Sequence, residues 1–497
     1  MIRKTWPEQP FIYEINAWVW LRDLEIRHGR RVALGSVPPR EWDAIADMGM
    51  DAVWLMGVWE RSPKSAAIAR AHSGLREEFL RALPGLTPED ILGSPYSIRR
   101  YAADARIGGP EGLAAARAAL AERGVRLVLD FTPNHVALDH PWVEERPELL
   151  VTPTDDARKT LPPDWFFKSG GRRIAHGRDP YFPPWTDTAQ VNIFNPETRR
   201  ALTEELLCVA AQCDGARCDM AMLLANRIFE GAWGSCGVGS PPPSEFWPEA
   251  IGAVKEEAPG FLFIAEVYWG MEDELLRMGF DYCYDKTLYE RLLDGNAESI
   301  RRHAEADASW QERTVRFLEN HDEQRAATTM PLPRERAAAV ALASLPGAKL
   351  FHEGQFEGRR VKVPVQLGRR PDEPVNPGLS DFYGALLHAA SAPLFRLGEW
   401  SPCQTIGWPD NDSHRNLLAW GLKLGAERAL VVINFSDVSS QGRVRPAWED
   451  CAGKTWRLVD GISREVFVRS GDEIQSIGLF VDLPPWGFHF FLCQGGM

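Results

Sequence analysis

Asp214-Gly215-Ala216-Arg217-Cys218-Asp219-Met220-Ala221-Met222-Leu223 is the stretch around which the rest of the chain is organised. It reads as a short buried strand whose end presents Arg217 and Asp219 two residues apart. Side chains alternate along a strand, so both point to the same side. A guanidinium beside a carboxylate in a poorly solvated place keeps the acid ionised and fixes its orientation. An ionised, oriented Asp at a strand end is a candidate nucleophile. Taken alone, Arg-x-Asp reads as a structural ion pair. Its company along the chain decides otherwise.

Working outward, residues 196–212 carry Leu202, Leu206 and Val209 at helical spacing. On the other side, a helical stretch at 244–257 leads into an apolar strand at 261–267. The same rhythm runs through most of the chain. Strands are expected at 11–20, 52–58, 125–131, 281–285, 314–319 and 349–352, with helices at 39–48, 110–123, 286–304 and 334–345. Eight strands, most followed by a helix, predict an α/β fold, a closed (β/α)8 TIM barrel. Residues 60–93 read as a mostly helical insertion, and Gly93-Ser94-Pro95-Tyr96-Ser97 as a surface loop. Residues 134–196, rich in Pro, Gly, Trp and charge, break the rhythm as a small inserted domain after strand three. From about residue 395, short strands separated by Gly, Asp and Ser turns predict an antiparallel β-sandwich. The expected division is therefore a barrel of residues 1–133 and 197–394, an inserted domain 134–196 and a C-terminal sandwich 395–497.

Composition narrows the partners. A formal charge of −13, from 56 basic and 69 acidic residues, argues against nucleic acid or an anionic membrane and suits a neutral ligand. The N-terminal residues have no apolar run behind their charges, and no apolar stretch is long enough to span a membrane. The eight cysteines match no common zinc spacing and read as reduced thiols, so a cytoplasmic protein is expected. Oligomeric state is not legible.

In a barrel, chemistry collects at the C-terminal ends of the strands. Those ends carry Asp130, Asn134 and His135 after strand three, Arg217 and Asp219 at strand four, Glu266 at strand five, and Asn320, His321 and Asp322 after strand seven. Carboxylates at distant points of the chain converging on one rim are hard to explain as packing. Two acids in different environments, one ionised and one protonated, are the apparatus of glycoside hydrolysis. Asp219 beside Arg217 suits the nucleophile, and Glu266 between Ala265 and Val267 suits the acid/base.

These residues carry a resemblance. Asp130-Phe-Thr-Pro-Asn134-His135, Gly215-Ala-Arg217-Cys-Asp219, the Glu266 strand and Phe317-Leu-Glu-Asn320-His321-Asp322 resemble the four signature regions of the α-amylase family, glycoside hydrolase family 13. Gln190-Val191-Asn192, followed by Asn195-Pro196, resembles the family's additional motif. The resemblance implies a retaining α-glycosidase acting on an α-glucan or oligosaccharide. It implies Asp219 as nucleophile, Glu266 as acid/base and Asp322 as transition-state stabiliser. Arg217, His135 and His321 would hold the sugar at the cleavage subsite, Tyr96 would stack on it, and Asp130 would support Arg217. Arg325 resembles an Arg of members that act on small α-glucosides. No cofactor is required, although Asn134 matches a ligand of the structural calcium site common in the family.

One departure stands out. Many members carry Lys-His at the end of the second region, on the leaving-group side, where this chain has Met222-Leu223. Neither can donate a side-chain hydrogen bond, so aromatic stacking, for instance by Trp269, is expected to replace that grip. Hydrolysis of α-glucans or malto-oligosaccharides is the leading expectation. The alternatives are an α-glucosyl or maltosyl transferase, a hydrolase of small α-glucosides, and a non-catalytic sugar-binding scaffold.

Overall fold

The computed structural model describes residues 6–495. Residues 1–5, which begin the stretch read as lacking a leader, lie outside the described residues. Eight parallel strands close into a barrel in sequence order: β1 (Phe11–Asn16), β2 (Ala52–Met56), β3 (Arg126–Phe131), β4 (Gly215–Cys218), β5 (Leu262–Ala265), β6 (Tyr282–Tyr284), β7 (Thr314–Arg316) and β8 (Ala348–His352). The last strand returns to the first, with Phe11 opposite Lys349 and Glu14 opposite His352. The (β/α)8 barrel expected from the alternation is the fold observed.

Parity along each strand decides what points where. Ile12, Trp54, Val128, Ile264, Val315 and Leu350 fill the barrel interior. Their neighbours Phe11, Val53, Leu127, Phe263 and Phe351 pack against the surrounding helices. Followed two residues further, the inward set arrives at Glu14 on β1, Asp130 on β3 and Glu266 just beyond β5. On β4, Ala216 and Cys218 join the outer core, which leaves Arg217 turned inward. The apolar interior thus ends upward in a polar layer.

Several expected elements are shorter or bent. The first strand stops at Asn16 because Asn16 caps a helix, Ala17–His28, its side-chain oxygen accepting from Val19 N at 3.4 Å. The helix expected over 286–304 is two, Lys286–Asp294 and Ala297–Ala304. Gly295, left-handed at φ 76°, ends the first, and Asn296 caps the second. The 93–97 turn does not face solvent. Arg61 Nη1 donates to Gly93 O at 2.8 Å and Ser97 Oγ to Asp187 O at 2.8 Å, drawing the turn inward and Tyr96 into the barrel mouth.

Beyond the barrel, residues 134–196 hold two short ribbons, His135–Ala137 with Thr188–Gln190 and Phe166–Ser169 with Arg172–Ala175. Near the C-terminus, a six-stranded antiparallel sheet (Glu399–Pro402, Leu417–Leu424, Glu427–Asn434, Thr455–Asp460, Val466–Ser470, Phe488–Gly495) faces a three-stranded one (Gln404–Ile406, Ser440–Arg445, Leu479–Leu483). Leu417, Leu430, Val444, Trp456 and Val481 form the core they share. Trp420 Nε1 donates to Ser344 Oγ at 3.1 Å, fastening this unit to the helix between β7 and β8, Leu332–Ser344. Among the described residues no helix is long and apolar enough to cross a membrane.

Candidate active site

At the C-terminal mouth of the barrel lies a cleft of about 470 Å³, lined among others by Tyr96, His135, Asp219, Glu266 and Asp322. Its centre is the guanidinium of Arg217, 1% exposed. Nη1 donates to Asp219 Oδ1 at 2.7 Å and reaches Asp130 Oδ1 at 3.5 Å, while Nε donates to Tyr284 Oη at 3.3 Å. Nη2 lies 2.8 Å from Glu266 Oε2, off the angle of a hydrogen bond, and 3.9 Å from Asp322 Oδ2. The ring of Tyr96 stands 5.3 Å from this cation and that of Trp54 5.2 Å. Burial opposes the charge, but Glu266 and the groups around it hold the Arg217 pKa well above its ordinary value. One permanent cation organises four acids.

The backbone turns that present these acids are local. Met220 follows Asp219 in the left-handed region at φ 43°, which ends β4 and points its N–H at Glu266 Oε2, 2.6 Å away. Glu266 Oε1 accepts from Tyr268 Oη at 2.8 Å. Asp130 accepts from Trp54 Nε1 at 3.1 Å, and burial pushes it up to about 6 despite Arg217. His135 sits under Trp185 with ring centroids 5.0 Å apart. Gly177 makes that seat: a Cβ there would lie 2.7 Å from Thr188 Oγ1 and 2.9 Å from His135 Cβ. Burial pushes His135 down to about 4, so its ring is neutral at physiological pH.

Across the cleft, His321 Nε2 lies 3.0 Å from Asp322 Oδ2 and 2.7 Å from Tyr96 Oη, and Nδ1 lies 2.5 Å from Glu14 Oε1. Burial works against the imidazolium, but the acids on either side raise His321 well above its ordinary value. In turn, His321, with Arg217 and Lys362 beyond it, outweighs burial and holds Asp322 below the usual carboxylate range. Asp322 is therefore held ionised.

Asp219 differs from the sequence reading. Burial, followed by the charge of Glu266, pushes it up to about 8 in spite of Arg217. The reason is that Arg217 is shared: Glu266 stands at the other end of the same guanidinium, so Asp219 has only part of its charge. A carboxyl that titrates near 8 when folded and near 4 when unfolded binds its proton more tightly in the native state. That contribution to stability is complete below about pH 4 and is lost as pH rises through about 8. Wild-type protein should therefore lose stability across this window relative to Asp219→Asn, measured by urea unfolding at pH 5 and pH 9. Parallel pH profiles for the two proteins would place the proton elsewhere.

Other expected residues are placed as follows. Arg325 is buried away from the acids, its Nη1 donating to Glu319 Oε1 at 2.6 Å and to Glu353 O at 2.9 Å. Asn134 spends its side chain on Gln190, whose Nε2 donates to Asn134 Oδ1 at 3.0 Å. That contact uses one of the two lone pairs of the oxygen, and no group of three or more His, Cys, Asp or Glu able to hold a metal occurs among the described residues. Met222 and Leu223 are 0% and 3% exposed, in a 3-10 turn, Ala221–Leu224, and face the core instead of the cleft. Met220 lines the cleft in their place. Glu14, Tyr268 and Asp187 were not anticipated, although an acid in the apolar stretch Phe11–Asn16 is itself a signal.

A closed barrel whose strand ends bring an Arg and several acids to one cleft places the chain in the class of (β/α)8 barrel proteins. Comparison with known proteins is more particular, and the resemblance to the α-amylase family is borne out. The α-amylase MalA of Haloarcula japonica is 25% identical over 453 residues, covering 87% of this chain. The match spans 56% of that protein, little more than half its length. In fold, the chain is similar to a noncanonic maltogenic α-amylase, AmyB from Thermotoga neapolitana, with a TM-score of 0.68, 17% identity and 98% of each chain covered. It is also similar to the α-amylase of Geobacillus thermoleovorans solved with acarbose, with a TM-score of 0.67, 18% identity and 99% of each chain covered. No family model matches the sequence.

Proposed function

We propose that the protein is a retaining α-glycosidase that hydrolyses α-glucosidic bonds of α-glucans or malto-oligosaccharides. The observation that carries this reading is the sharing of one buried guanidinium by Asp219 and Glu266, with ionised Asp322 across the cleft. Attack requires Asp219 ionised and the proton on Glu266, so the pair works with one proton between them. Burial and the neighbouring charge of Glu266 raise Asp219 above its ordinary range, so its ionisation is the step that arms the site.

An Asp219 oxygen then bonds to the anomeric carbon as the glycosidic C–O bond breaks. The Glu266 proton goes to the leaving oxygen. Water next attacks the same carbon, gives its proton to Glu266 and frees Asp219. Asp322 opposes the positive charge that develops on the sugar ring. Neutral His135 can donate an N–H to a sugar hydroxyl without adding charge. Eight free thiols are in keeping with the cytoplasmic setting proposed from the sequence.

Proton NMR of maltoheptaose hydrolysis tests the reading. The α anomer should appear first, before mutarotation. Early β anomer would mean inversion and no covalent intermediate, elongated products would mean transfer, and an unchanged substrate would mean a non-catalytic binder.

A further inference from the structure

The two ends of the cleft are built differently. At the Tyr96 end, the wall is the helical pair Pro63–Ala71 and Ser73–Ala82, whose Ile68 and Leu75, with the joining His72, line the cleft. This wall is fastened to two other segments. Ser65 Oγ donates to Asp187 Oδ2 at 2.6 Å and accepts from Ser94 N at 2.9 Å, tying the helix to the 134–196 segment and to the Tyr96 turn. Leu92 N donates to Gln366 O at 2.7 Å and Gly368 N to Asp90 O at 2.8 Å, tying it to the loop after β8. Ala69, Phe79, Leu83, Ile91 and Leu367 form a separate buried cluster behind it. A wall with its own packed core and cross-ties does not swing aside cheaply.

The other end carries Met220 and Tyr268. Beyond Tyr268 stands Trp269, 41% exposed and left-handed at φ 65°, edge-on to Tyr181, which is 70% exposed, at 5.0 Å. The orientation of a substrate follows from the acid. Glu266 must meet the leaving oxygen, and its Oε1 is held by Tyr268, so the leaving part lies on the Tyr268 side. The attacked ring then lies towards Tyr96 and His135, with Asp187 and the helical wall beyond it. In an α-glucan the attacked ring carries the non-reducing part of the chain.

We infer that the helical pair closes the cleft against the non-reducing end of the substrate, so that the enzyme removes short sugars from chain ends and does not cut within a chain. Asp187, Gln366 and His72 at the wall supply the polar groups that the hydroxyls of a terminal ring require. The leaving chain runs out past Tyr268 towards Trp269 and Tyr181, whose rings suit the apolar faces of pyranoses. This inference rests on the glycosidase reading given above and names the mode of action of that same site.

The test compares an aryl maltoheptaoside with the same compound blocked by a 4,6-acetal on its terminal ring. Wild-type enzyme should turn over the blocked compound about a hundredfold more slowly, since a closed wall rejects the added bulk. Asp187→Ala, which cuts the tie to Ser65, and separately Ile68→Ala, which hollows the wall, should each narrow that ratio to about tenfold or less. Thermal unfolding and far-ultraviolet circular dichroism report whether each variant is folded. Equal rates on the two compounds with wild-type enzyme would overturn the inference and leave an endo-acting glycosidase. Turnover of neither compound would remove the glycosidase reading, and the inference with it.

Discussion

Asp219→Asn and Glu266→Gln should each lower kcat/KM on an unactivated malto-oligosaccharide by about a thousandfold or more, the loss expected when covalent or acid/base work is removed. Neither change should unfold the protein. Burial raises Asp219 above its ordinary range, so an amide of the same shape takes its place at modest electrostatic cost, and Arg217 keeps its other partners. Glu266→Gln retains an oxygen to accept from Met220 N–H or Tyr268. The two variants should separate on an activated aryl glycoside whose leaving group needs no proton. Glu266→Gln should recover part of its first step there, and Asp219→Asn should not. Retention of more than about a tenth of wild-type kcat/KM by either variant on the unactivated substrate would remove that residue from its role.

Why these two residues could be picked from the sequence, and others could not, is a matter of how far apart the interacting parts lie. Arg217 and Asp219 are on one strand, so parity alone puts them together, and the 2.7 Å contact follows from two steps along β4. Asp130 and Glu266 follow from the same parity once neighbouring strands are in register, as Arg217 is with Asp130 and with Ile264. Glu14 was hidden by a boundary. A first strand running to residue 20 buries Glu14 at mid-strand, whereas a strand capped at Asn16 delivers it to the barrel mouth beside His321. The raised pKa of Asp219 was hidden by a contact across strands: Arg217 looks committed to Asp219 until Glu266 is seen at its other end. The tie between Ser65 and Asp187 joins two insertions with no periodicity in common, and nothing local announces it.

Met222 and Leu223 show the opposite error, in which motif position implied a contact that the backbone forbids. The left-handed residue at 220 turns the chain, and Ala221–Leu224 folds back beneath the cleft, where Trp247 Nε1 donates to Ala221 O at 2.8 Å. Combining Met222→Lys with Leu223→His, to supply the charged donors missing from the leaving side, should therefore destabilise the protein and not lengthen its preferred substrate. A fully buried lysine shifts its pKa by about 3–5 units to become neutral, which costs about 4–7 kcal/mol. That is much of the roughly 5–15 kcal/mol available to a folded domain. The urea midpoint of Met222→Lys alone should fall steeply, with little folded protein left at 37 °C. Met220→Lys is the instructive contrast, because Met220 already tolerates φ 43° and lines the cleft on the Tyr268 side. It should keep a midpoint near that of wild type and raise affinity for longer leaving groups, by the 1.5–3 kcal/mol order of a hydrogen bond from a charged donor or less. A Met222→Lys protein that unfolds at the wild-type midpoint would show that the 221–224 turn opens to the cleft after all, and that the motif position had been read correctly.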